Sequence, residues 1–193
     1  AVGFFISDHP LNQFTEIFED YKINDYAKFN LDENSQNVNV AATLLKVQER
    51  KTAKGNSYAV LKLTDLTSVF EIFIFSDLLE LNREILKEGN SLILTLVKNF
   101  SNDENRFKRI NVQKIASLKD LFNSPINEIS FNVNSIEQIQ EISKYLDQDG
   151  NTQVKFNLST KDQILNFQLK KPMNLDRKSL NLLRKQQIQA EIN

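Results

Sequence analysis

Apolar and polar residues alternate along three consecutive stretches: VNVAATLLKVQERKT from Val38, SYAVLKLTDL from Ser57 and SVFEIFIFSD from Ser68. A helical stretch, DLLELNREIL, follows from Asp77, and then two more alternating runs, SLILTLVKNF from Ser91 and FKRINVQKIASL from Phe107. Period-2 alternation predicts strands, so the order reads β-β-β-α-β-β. The same period assigns faces. Ala59, Leu61 and Leu63 oppose Tyr58, Val60 and Lys62; Phe70, Ile72 and Ile74 oppose Val69, Glu71, Phe73 and Phe75. A charge inside a small barrel would go unpaired, so the sides carrying Lys62 and Glu71 are expected to face outward. The turn AKGN, with Gly55 and Asn56 at a point that needs positive φ, closes the first strand, and the polar loop SNDENRFKR joins the last two.

Flanking segments follow other periods. Phe14, Ile17, Phe18 and Tyr21 recur at helical spacing after Pro10, and the polar run Asn30 to Asn37 reads as a linker. After Leu118 the chain predicts a strand in EISFNVN and a helix in SIEQIQEISKYLD, with Ile136, Ile139, Ile142 and Leu146 as its stripe and Ser135 as N-cap. Two more strands follow in TQVKFNLST and QILNFQLK, and then a closing helix capped by Asp176 that runs through Leu180, Leu183 and Ile188. The expected fold is mainly β with α+β: a short N-terminal helical segment (1–37), a five-stranded OB-fold barrel (38–118) and a small β-α-β-β-α domain (119–193). The strand order of the middle segment is that of the OB-fold, whose outer face often holds single-stranded nucleic acid.

Charge sharpens this picture. The whole chain carries −1, distributed as −5 over residues 1–37, +3 over 38–118 and +1 over 119–193. Only the barrel segment leans basic, enough for modest contact with a phosphate backbone. No apolar run approaches the ~20 residues of a membrane span. The first residues lack a basic n-region and a small-residue cleavage site, so no secretory signal is expected. The absence of cysteine excludes disulfides and thiolate metal sites and fits the cytoplasm. The chain does not begin with Met, as a piece of a longer product would not.

Catalytic chemistry finds few materials. The only histidine, His9, precedes Pro10 and is expected to form structural hydrogen bonds; the carboxylates Asp8, Asp65, Glu71 and Asp77 sit on separate elements. No phosphate-loop, dinucleotide, zinc-protease or serine-hydrolase motif occurs, so no catalytic, metal or cofactor site is expected. Binding has better candidates. Tyr58, Lys62 and Phe73 point outward from adjacent strands; Arg50, Lys51 and Lys54 surround the first loop; Phe100, Arg106, Lys108 and Arg109 surround the second. Cations that follow a backbone and aromatic faces that stack bases are the two needs of a single-strand binder. Phe75 is expected to pack beneath the helix rather than to stack. Gln163–Phe167 and Gln187–Ile192 both resemble glutamine-plus-hydrophobic peptides that dock on sliding clamps. A structural role is expected for both, with the terminal one kept as a candidate clamp contact.

Taken together, several residues resemble the alpha (polymerase) subunit of bacterial DNA polymerase III. GFFISDHPL (Gly3 to Leu11) is similar to that family's G-[FLY]-Y-[LI]-[ST]-G-H-P-[LI] segment; Thr52, Lys54 and Gly55 resemble its T-K-x-G turn; Asp65, Glu71 and Phe75 resemble the acidic-hydrophobic run that follows. The departures are Asp8 for Gly, Thr64 for an acid, Lys54 one place from the usual lysine, and Gln48 for an arginine that Arg50 or Lys51 would replace from a different strand face. The resemblance implies a replicative DNA polymerase whose magnesium-binding aspartates lie in a palm outside this chain. It also implies an OB domain near the single-stranded template and a C-terminal domain that binds the clamp loader's tau subunit. The alternatives are an OB adaptor of another class, such as a tRNA anticodon-binding or general single-strand-binding module, and a structural spacer.

Overall fold

The computed structural model describes residues 8–99 and 109–193, which divide into two compact units, 1–123 and 124–193. In the first, five strands alternate as expected: β1 (Asn37–Lys51), β2 (Ser57–Thr64), β3 (Val69–Phe75), β4 (Ser91–Asn99) and β5 (Arg109–Ser117). They form one antiparallel sheet in the order β3-β2-β1-β4-β5. This is a mainly β, OB-like arrangement. The 15-residue β1 makes it possible, because its first half pairs with β4 and its second half with β2. A bulge between Leu44 and Lys46 turns the strand between these two partners. The sheet therefore coils until β3 and β5 approach within 8 Å of each other, Cα to Cα.

The concave face holds the core: Val40, Ala42 and Leu44 of β1, Ala59, Leu61 and Leu63 of β2, Phe70, Ile72 and Ile74 of β3, and Leu92, Leu94 and Leu96 of β4. Helix α2 (Ser76–Asn82) adds Leu79 to it. On the convex face, Ala41 and Ile93 are buried as well, under a 3-10 helix at Pro10–Ile17 and helix α3 (Leu118–Asn123). The 3-10 period of three explains why Leu11, Phe14 and Ile17 are its buried residues, where α-helical spacing marks Phe14, Ile17, Phe18 and Tyr21. The N-terminal segment thus covers the convex side of β1 and β4. The convex side of β1's second half, of β2 as far as Lys62 and of β3 lies outside this cover, while Thr64 at the end of β2 is buried near His9.

Two buried polar groups fasten this segment. Lys98, only 3% exposed, donates to the carbonyls of Phe29, Asn30 (3.4 Å) and Asp32 (2.5 Å), and its ammonium lies 4.3 Å from the Phe29 ring centroid. These carbonyls end helix α1 (Tyr26–Leu31), where the helix dipole and unpaired acceptors favour a cation. Lys98→Met leaves those acceptors facing an apolar side chain. It is expected to cost about 2 kcal/mol, the penalty for orphaned buried polar groups, read as a lower urea midpoint. The second fastening is Asp65, in the β2–β3 turn. It accepts from the backbone N–H groups of Tyr26 (2.8 Å), Thr67 (2.8 Å) and Ser68 (2.6 Å), and from the hydroxyls of Thr67 and Ser68.

The second unit is β6 (Glu128–Val133), α4 (Ile136–Ser143), β7 (Asp147–Ser159), β8 (Ile164–Gln168), β9 (Met173–Asn174), α5 (Arg177–Lys185) and β10 (Gln189–Ile192). The sheet order is β10-β6-β7-β8, with β6 and β7 parallel and the other pairs antiparallel. Phe131, Phe156, Val154 and Ile129 pack against Ile142, Leu180 and Leu183 of the two helices. Ser135 and Asp176 cap α4 and α5 as expected. Ile136 of the predicted stripe lies outside this core and is exposed. Gly150 is required in β7, because a Cβ there would overlap the backbone of Met173 and Asn174 across the β7–β9 contact.

The closing helix ends earlier than its periodicity predicts, and two short strands, β9 and β10, join the expected elements. Gln187 takes φ +64°, its N–H donates to the Arg184 carbonyl, and Ile188 N–H donates to Leu183. This is a Schellman stop with its apolar contact, since Ile188 and Leu183 share the core. Glycine usually marks such a stop, and its absence hides this one in the sequence. Gln187→Gly is expected to raise stability by roughly 0.5–1 kcal/mol, because it relieves left-handed strain; thermal unfolding measures it.

Candidate functional site

The open convex face is organised by strand register. Arg50 lies opposite Tyr58, and Tyr58 opposite Phe75; Gln48, Val60 and Phe73 form the next row; Lys46, Lys62 and Glu71 form the third. Alternation places all nine on one side of the sheet. Phe73 is 53% exposed and Phe75 49%, although both are large apolar rings. The Tyr58 and Phe73 centroids are 6.4 Å apart with their planes inclined by 33°. From the start of β5, across the seam of the coiled sheet, the Arg109 guanidinium lies 5.2 Å from the Phe75 centroid. Arg50, Lys51, Lys54, Lys62 and Arg109 are all exposed.

The turn that carries Lys54 is closed by its own backbone. Thr52 N–H donates to the Asn56 carbonyl (2.9 Å), Gly55 N–H donates to the Thr52 carbonyl (2.9 Å), and Asn56 N–H donates to Thr52 Oγ1 (3.1 Å). Gly55 has φ +84°, which accounts for a glycine at this point. Lys51 and Lys54 are thereby held at one end of the aromatic rows.

Two sequence expectations need correction. Phe75 does not pack beneath a helix. It is the residue before α2, whose buried residues are Leu79 and Asn82, so the turn into the helix leaves the Phe75 ring on the open face. Its shared parity with Phe73 was the signal for this. Arg50 does not lie on a different strand face from Gln48. The two are i and i+2 on β1, and Arg50 Nη2 donates to Gln48 Oε1 at 2.9 Å. Gln48 orients the Arg50 cation on this face. Phe100, Arg106 and Lys108 lie outside the described residues.

His9 has a local role. Its Nδ1 accepts from Leu11 N–H at 3.1 Å, at the start of the 3-10 helix, and its Nε2 lies 3.4 Å from Thr64 Oγ1. Burial lowers its pKa from the ordinary histidine value, and the nearby Asp65 carboxylate offsets this only in part. Neutral imidazole is thus the form that suits the fold. Among the described residues no three His, Asp or Glu side chains converge as a metal site, and no helix is long and apolar enough to cross a membrane.

The face offers half-exposed rings bordered by exposed cations. No family model matches the chain. It is 31% identical over 149 residues to DNA polymerase III subunit alpha of Rickettsia conorii, a match covering 74% of this chain and 12% of the relative. The same subunit of Rickettsia felis is 30% identical over 149 residues, with the same coverage of both chains. That of Buchnera aphidicola is 25% identical over 179 residues, 89% of this chain and 15% of the relative. The chain thus spans a small part of the length of the curated relatives it matches.

Proposed function

We propose that this chain, a relative of the alpha subunit of bacterial DNA polymerase III and consistent with a C-terminal fragment of it, serves DNA replication without carrying the polymerase's catalytic residues. In this reading the first unit holds single-stranded template on the Tyr58–Phe73–Phe75 face, and the second docks the clamp loader's tau subunit. The parent enzyme would be a cytoplasmic, magnesium-dependent DNA-directed DNA polymerase whose metal ligands lie in its palm. One observation carries the template half: two half-exposed phenylalanines on a convex face that also carries Lys46, Arg50 and Lys62, with Arg109 beside Phe75 and Glu71 as the one acid of its three rows. Exposed rings of this size in a packed β-sheet call for a partner, and the flanking charge selects a polyanion.

A clamp contact through Gln187–Ile192 would have to compete with the fold. Gln189–Ile192 is β10, laddered to β6, and Ile188 is buried. The tau half draws its support from the resemblance. Deleting residues 124–193 from the full-length polymerase is expected to abolish tau binding, and retained binding would sink that half.

Titration of a fluorescein-labelled oligothymidylate with the whole chain tests the template half. Binding is expected in low salt, with log affinity falling against log salt at a slope of about −2 to −4, the release from a few phosphate contacts. A flat, salt-independent baseline would leave the structural-spacer alternative standing.

A further inference from the structure

The second unit ends its sheet on β8, and among the described residues no strand pairs with its far side. Thr160 N–H donates to Gln163, and Leu169 N–H donates to Val154, so alternation turns the backbone of residues 165 and 167 toward β7. Ile164, Asn166 and Gln168 therefore present their N–H and C=O groups to the open side. Natural sheets blunt such an edge with charge, proline or a bulge inside the strand. The five residues of β8 carry none of these.

The side chains point the same way. Ile164 is 64% exposed, Leu165 42% and Phe167 40%. Phe167 stacks on Phe156 at 5.3 Å, and Phe156 stacks on Phe131 at 5.7 Å, so the aromatic row of the core runs out into solvent at this edge. Both ends of the strand are basic: Lys161, Lys170 and Lys171 are exposed beside a single acid, Asp162.

We propose that the β8 edge is a docking site for an extended apolar-acidic segment of a partner protein, added as a further strand beside β8. It would take the free edge groups in a new ladder, cover Leu165 and Phe167, and place its carboxylates near the flanking lysines. Charge complementarity decides the occupant. A second copy pairing antiparallel would bring the lysine-bearing ends together, and a nucleic acid has no use for an apolar, amide-lined edge. The proposal deepens the docking role of this unit and rests on that reading only for the partner's identity.

The test uses the whole chain and a labelled strand-forming peptide of alternating valine or isoleucine with aspartate or glutamate, beside a counterpart with lysine for each acid. The acidic peptide is expected to bind in the range of about 10–100 µM, and the basic one about tenfold more weakly. Asn166→Pro deletes an outward N–H that β7 does not use, a placement proline tolerates at an edge. It is expected to weaken the acidic peptide about tenfold at an unchanged melting temperature. Lys170→Glu with Lys171→Glu is expected to weaken it severalfold and to remove most of its salt dependence. No binding below about 1 mM, equal binding by Asn166→Pro, or displacement by oligothymidylate would each overturn the proposal. Peptide binding that survives a failed tau deletion experiment would keep the edge and discard only the partner's identity.

Discussion

Asp65→Ala is expected to lower the folding free energy by about 3–5 kcal/mol, since it orphans two or three buried donors at roughly 1–3 kcal/mol each. Asp65 is 5% exposed and accepts from five donors, one of them on Tyr26, 39 residues away in the chain. Four of the bonds shape the β2–β3 turn at Thr67 and Ser68. The Tyr26 bond is different in kind. Asp25, the residue before α1, makes no side-chain cap, so Asp65 supplies from a distance the acceptor that the first turn of the helix lacks. The same contact sets Tyr26 on Phe70, ring centroids 3.8 Å apart and planes within 7°. Loss of Asp65 should therefore loosen the helix and the sheet together. Asp65→Asn keeps one acceptor oxygen and should lose less. Urea unfolding followed by tyrosine fluorescence measures both, and a loss below about 1 kcal/mol for the alanine variant would refute this role.

The second large effect concerns the open face. Phe73→Ala combined with Phe75→Ala is expected to cut single-strand affinity by about 2–6 kcal/mol, one base stack per ring at 1–3 kcal/mol. Both rings are half-exposed, so the fold should survive their loss. Their removal takes away stacking and no phosphate contact, so the salt slope should stay where it was. Lys62→Ala with Arg109→Ala should act in the opposite sense, with a smaller affinity loss and a salt slope shallower by about 1–2. Equal slopes in the two double variants would mean that the rings and the cations do not divide the work as the face suggests.

Much of this architecture is written in period-2 alternation, because strands of the first sheet have one dry face and one wet or covered face. Ala59, Leu61 and Leu63 against Tyr58 and Lys62 is the clearest instance, and it sets the orientation of the candidate site directly. What the pattern hides is whatever depends on distant partners. Lys98 shares the inward parity of Leu92, Leu94 and Leu96, where a lone lysine would be unpaired; the carbonyls at the end of α1 receive it there. Asp65 reads as a turn residue until Tyr26 is seen against it. Phe75 and Gln187 were obscured for local reasons, one by the helix that begins after it and the other by standing where glycine usually does. The N-terminal segment reads as a trailing helix and linker, yet its described part lies within the first compact unit, because Leu11, Phe14 and Ile17 bury the convex residues Ala41 and Ile93.

The face itself can be asked where the strand lies. An oligonucleotide carrying 5-bromodeoxyuridine, irradiated on the whole chain in low salt and analysed by peptide mapping, cross-links through rings stacked on its bases. Adducts are expected on Tyr58, Phe73 or Phe75, and they should disappear when unlabelled oligothymidylate is added in excess. Adducts confined to residues 124–193, or none at a protein concentration where titration shows saturation, would contradict a template-binding face on the first unit.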